Sequence, residues 1–100
     1  MAHFFVGVCR LEFGLDDNFS LKGKRSVVKR VIAKIQNRFN VAIAEVGDNN
    51  DVLTRATIGF SVVGNDKRFV NGCVDKIIDF VEELGEAPLL DAHFEIEQYG

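Results

Sequence analysis

The spacing of apolar residues switches between two and three-to-four along this chain, and the order of those switches restricts the fold more than any other feature. In "HFFVGVCRLEF" the spacing is two: Phe5, Gly7, Cys9, Leu11 and Phe13 share one face, and Phe4, Val6, Val8, Arg10 and Glu12 share the other. The first face is the one expected to be buried. After a polar loop from Asp16 to Phe19, Ser20 can cap a helix with its hydroxyl. Leu21, Val28, Val31, Ile32, Ile35 and Phe39 then gather on one stripe at about 100° per residue, the amphipathic pattern. Asn40 is suited to end that helix in the left-handed conformation.

"VAIAEV" and "VLTRATIGFSVV", joined by "GDNND", read as a hairpin, because Gly, Asp and Asn tolerate the angles of a tight loop. Ala56, Ile58, Phe60 and Val62 form its core face, and Glu45 is expected to pair with Arg55 across it. Asn65 or Asp66 caps a second helix, whose Phe69, Val70, Cys73, Val74, Ile77, Val81 and Leu84 recur at three- and four-residue steps. Gly85 ends it and Pro88 prevents its continuation. The final "LLDAHFEIEQY" sets Leu90, Ala92, Phe94 and Ile96 inward against Asp91, His93, Glu95, Glu97 and Tyr99.

The order is therefore β-α-β-β-α-β, an α+β chain. Two right-handed crossovers lay both helices on one side of a four-stranded antiparallel sheet, the ferredoxin-like or split βαβ arrangement. One hundred residues suit a single domain spanning 1–100. The second sheet face receives no helix. The alternation puts Phe4, Val6, Val8, Val63 and Tyr99 there, beside Arg10, Glu12, His93, Glu95 and Glu97, which makes it a candidate oligomer interface for a homodimer.

Charge is laid out as unevenly as hydrophobicity. The net charge is −3, yet residues 20–38 hold seven of the twelve Lys and Arg residues and no acid: Lys22, Lys24, Arg25, Lys29, Arg30, Lys34 and Arg38. Residues 69–100 hold eight acids against one base, Lys76. On the helical wheel Lys22, Arg25 and Lys29 form one rail and Arg30, Lys34 and Arg38 a second, with like charges at a spacing that repels. The acidic second helix can neutralise one rail from within. Otherwise the seven cations are candidate nucleic-acid-binding residues, since arrayed Lys and Arg release condensed counterions from a polyanion such as RNA. The amides of Leu21, Lys22 and Gly23, ringed by Lys22, Lys24 and Arg25, offer one phosphate a seat at the positive end of the helix dipole.

Other chemistries fit poorly. "FFVGVC" resembles one stacking strand of an RNA-recognition motif, but the open face of the partner strand carries Thr57, Gly59 and Ser61 where aromatics are needed. Acylphosphatases share the topology, but "EFGLDDNFSLKGKR" lacks their glycine-rich anion loop. No nucleophile, base and orienting group recur at a recognisable spacing, so no enzyme, small-molecule substrate or cofactor is expected. His3 and His93 read as surface histidines, and Asp16 and Asp17 as turn residues. Cys9 and Cys73 sit in apolar runs far apart, which argues against a metal site or disulfide framework and for a reducing cytoplasm. The uncharged stretch Met1 to Cys9 lacks a basic leader and stops at Arg10, so neither a signal peptide nor a membrane span is expected.

"VGVCRLEF", "SLKGKR", "NRFNVAIAEV", "TRATIGFSVVGND" and "VDKIIDFVEE" together resemble the YlxP-like family of small bacterial proteins, catalogued as a domain of unknown function. Ser20-Leu21-Lys22-x-Lys24-Arg25 and Arg38-Phe39-Asn40-Val41 are the most specific parts of that likeness, which spans nearly the whole chain. Members often carry an acid where this chain has Gly23. The resemblance implies a ferredoxin-like fold, a bacterial cytoplasm and genes near those for translation initiation and ribosome-binding factor A, hence ribosomal RNA as a partner. It implies no catalytic residues.

Overall fold

A computed structural model describes residues 3–48 and 52–100, so the tip of the expected hairpin loop lies outside the described residues. The elements follow in the anticipated order: β1 (Phe4–Gly14), α1 (Leu21–Arg38), β2 (Ala42–Glu45), β3 (Arg55–Gly64), α2 (Lys67–Leu84) and β4 (Leu89–Tyr99). The strands form one antiparallel sheet in the order β2-β3-β1-β4, the ferredoxin-like arrangement. α2 packs on β1, β3 and β4, and α1 packs on β2 and β3.

Period two on the sheet and three-to-four on the helices bring the apolar sets together in one layer. Cys9, Leu11 and Phe13 of β1 and Ile58, Phe60 and Val62 of β3 meet Val28, Val31 and Ile35 of α1 and Val70, Val74, Ile77 and Val81 of α2. Gly7 belongs to this layer for a steric reason. A Cβ there would press into Val70 Cγ1 at 2.8 Å, so the missing side chain lets α2 approach β1 closely.

Caps bound both helices. Ser20 accepts from the Gly23 amide at 3.0 Å, and Asp66 accepts from the Arg68 amide at 2.8 Å. Gly85 ends α2 at φ +65°. α1 ends differently from expectation. Phe39, not Asn40, is its cap, in extended backbone at φ −128°, with its amide still donating to the Ile35 carbonyl at 2.8 Å. No described residue other than glycine has positive φ. The extended turn brings the Phe39 ring edge-on to Phe80 of α2, with centroids 5.4 Å apart.

Two strand expectations also need correction. Glu45 stands opposite Ile58, and Arg55 lies opposite Gly14 of β1, so these two charges do not face each other. Arg55 instead reaches Asp16 at 3.3 Å. In β4, Leu90 is exposed and Leu89 packs on the core. A register shift between Glu12 and Phe13 pairs Phe13 with Leu89, which leaves Leu90 as the extra residue of a bulge.

Candidate functional site

The helix stripe explains the first departure from the seven-cation reading. Lys24, Val28, Val31 and Ile35 follow at steps of four, three and four, so Lys24 lies on the buried face of α1. It is 1% accessible. Its ammonium donates to the Val52 carbonyl at 3.0 Å and stands 3.7 Å from the Glu45 carboxylate of β2. A buried ammonium committed to this carbonyl and carboxylate cannot reach a phosphate. Lys24 therefore leaves the nucleic-acid set and ties the first turn of α1 to β2 and the segment before β3.

The phosphate seat loses one of its three amides, that of Gly23, to the chain itself. The Gly23 amide is taken by the Ser20 hydroxyl and the Lys24 amide by the Ser20 carbonyl at 3.1 Å. Asn18 braces the same turn, donating to the Ser20 carbonyl at 2.8 Å and the Leu53 carbonyl at 2.7 Å. Its Oδ1 occupies the space that a Cβ at residue 23 would need, which is why a glycine stands there. Asn18 was not among the residues singled out from the sequence. Its signal was a loop Asn two places ahead of the cap, a position where a short amide can bond nearby backbone.

Two cations of the second rail share one carboxylate from the part of the chain that follows α2. Glu86 accepts from Arg30 Nε at 2.7 Å through one oxygen and from Lys34 Nζ at 3.1 Å through the other. The Arg30 hydrogen bond first, and then that of Lys34, hold its carboxyl below the usual carboxylate range. Arg30 also donates to Ser26 at 2.9 Å. Arg38 ends this rail with its guanidinium carbon 5.1 Å from the centre of the Phe80 ring, a cation–π contact.

The first rail differs. Lys22, Arg25 and Lys29 are all exposed. Among the described residues no carboxylate comes within ion-pair distance of any of them. They project from the side of α1 turned away from Glu86.

The candidate interface residues gather as expected on the helix-free sheet face. Phe4 stacks on Tyr99 with centroids 5.5 Å apart, Val6 is half-buried, and Val8 and Val63 are 54% and 63% accessible. Beside them a shallow trough of about 490 Å³ runs over Ala42, Ala44, Val46, Gly59 and Ser61. Thr57, expected to be open on this face, is buried, and the Gly47 backbone passes close to its side chain.

Neither cysteine is bonded to another, and burial pushes the Cys9 thiol up to about 11, away from nucleophilic use. Among the described residues no three metal-ligating side chains cluster, and no helix is long and apolar enough to cross a membrane.

Comparison with known proteins bears on the fold and the family. A de novo designed protein, Foldit4, matches 97% of this chain over 97% of its own length with a TM-score of 0.53 at 14% identity. The YXEP protein of Bacillus subtilis, a dinuclear metal binding peptidase of the M20 family, matches 99% of this chain with 26% of its own at a TM-score of 0.53 and 11% identity. Both likenesses concern the fold alone. In sequence, the uncharacterized protein YlxP of Bacillus subtilis (strain 168) is 31% identical over 81 residues, covering 81% of this chain and 87% of YlxP. The model of the family described as "Protein of unknown function (DUF503)" matches residues 6–94, and with that match covering both helices and reaching every strand, the chain belongs to this YlxP-like family.

Proposed function

We propose that the protein is a non-catalytic RNA-binding protein that grips phosphates through Lys22, Arg25 and Lys29. The observation that carries this reading is selective neutralisation. Glu45 and Glu86 take up Lys24, Arg30 and Lys34, whereas the rail on the other flank of the same helix has no carboxylate among the described residues. A helix whose only purpose was to sit solvated on the sheet would gain from acids at both flanks, since like charges at i, i+3 and i, i+4 repel. Three such cations on one helix flank suit a short run of backbone phosphates, and the field they create steers a polyanion toward that side.

Salt dependence tests the reading. With three contacts, affinity for single-stranded RNA falls with a log–log salt slope of about −2. Replacing Lys22, Arg25 and Lys29 together by Glu abolishes binding while circular dichroism and melting stay close to wild type. A reversed protein that binds RNA as tightly as the wild type overturns the reading.

A second reading rests on a separate observation: Phe4, Val8, Val63 and Tyr99 stand exposed on a face that no helix covers. On this reading two copies stack through that face as a homodimer, and each keeps its rail turned outward.

A further inference from the structure

Phe19 is the most exposed large apolar side chain among the described residues, 88% accessible, and it stands directly before the Ser20 cap, three residues from Lys22. An aromatic residue at that position has an ordinary structural use. It packs on the side chain four residues into the helix and so staples the entry of the chain. Here that position is Lys24, whose side chain runs inward to the Val52 carbonyl and Glu45. The staple is therefore unmade. The aromatic pairs among the described residues are Phe4 with Tyr99 and Phe39 with Phe80, and neither involves Phe19. Leu21, the next apolar residue, is exposed as well.

We propose that Phe19 is a stacking platform for an unpaired base, and that the RNA bound along the Lys22–Arg25–Lys29 rail is single-stranded. This rests on the phosphate-binding reading and adds the class of its ligand. A ring held in solvent three residues ahead of a line of cations supplies the two parts that single-strand binding uses: the cations follow the backbone and the ring takes the π-face of a base. A duplex keeps its bases stacked on one another and offers that ring no partner. The contact is indifferent to base identity, because every base has a face to stack.

The test compares a single-stranded RNA of about twelve nucleotides, within the usual site size for such proteins, with a blunt duplex of the same sequence. Phe19→Ala is expected to weaken single-strand binding about 5- to 150-fold, the range that alanine substitution of a stacking residue gives, with the salt slope unchanged and duplex affinity unmoved. Phe19→Trp retains binding, and because the chain has no other Trp, its fluorescence reports stacking as quenching on titration with the single strand. If Phe19→Ala binds the single strand like the wild type, or if Phe19→Trp binds without quenching, the stacking role is overturned while the rail reading stands on its own charge-reversal result. If the wild type binds neither RNA, both fall together.

Discussion

Lys24 and Glu86 decide how much of the charge on α1 is left without a carboxylate partner. The position of Lys24 could be read from the sequence, because it falls in phase with Val28, Val31 and Ile35 on the buried stripe. Counting it among surface charges gave residue type more weight than phase. A lysine is rarely fully buried unless paired, and its partner, Glu45, lies on β2, a distant segment that helical periodicity does not report. Glu86 was less legible still. It lies beyond the end of α2, so the wheel of that helix cannot place it, and only the αL turn at Gly85 carries it to Arg30 and Lys34. Its depressed pKa makes the link pH-dependent. A carboxyl held below its unfolded value contributes stability that is fully present above that value and is lost as pH falls through the folded one. The stability difference between wild type and Glu86→Gln is therefore expected to be full at pH 7, to start closing near the ordinary value of 4.5, and to vanish in stronger acid. Urea unfolding across that range checks it, and added salt should shrink the difference at pH 7, because both cations are half exposed.

At the level of elements, both helices and β4 were readable because each carries its period through at least three repeats. Two departures in the course of the elements fell at junctions. The exit of α1 at Phe39 and the bulge at Leu90 are set by what lies across the gap, Phe80 in one case and Phe13 in the other, and neither is a local sequence signal. The entry of α1 illustrates the same coupling. Gly23 looks like a weakness in a helix, at a cost of up to ~1 kcal/mol relative to alanine. Its backbone, however, sits under the Asn18 amide, which fastens the loop to the Ser20 and Leu53 carbonyls. Gly23→Ala is expected to destabilise the protein by about 1 kcal/mol net, since displacing Asn18 gives up hydrogen bonds worth more than the gain in propensity. In an Asn18→Ala background the same substitution should become neutral or stabilising. Thermal unfolding of the four proteins in the cycle measures the coupling.

For the molecule as a whole, the sequence indicated two differently dressed sides, and the fold assigns them. The helix layer carries the cationic rail on the flank away from Glu86. The bare sheet face carries Phe4, Val6, Val8 and Val63 with the acids of β4 along one margin. If two copies associate through that face, Val8→Asp yields monomers in sedimentation equilibrium and keeps the fold, because Val8 is exposed and the like charge of Glu95 opposite it costs only about 0.2–1 kcal/mol. A wild type that is already monomeric at micromolar concentration removes the dimer.

β4 closes one margin of the sheet with eleven residues whose outer side has no neighbouring strand among the described residues. Such a margin normally invites another chain to add on. On this one Asp91, Glu95 and Glu97 alternate along a single side, so an antiparallel twin centred on Phe94 would set Asp91 against Glu97. Ribbon growth from copy to copy is thereby opposed at Asp91 and Glu97 by the same carboxylates that give this side of the molecule its sign.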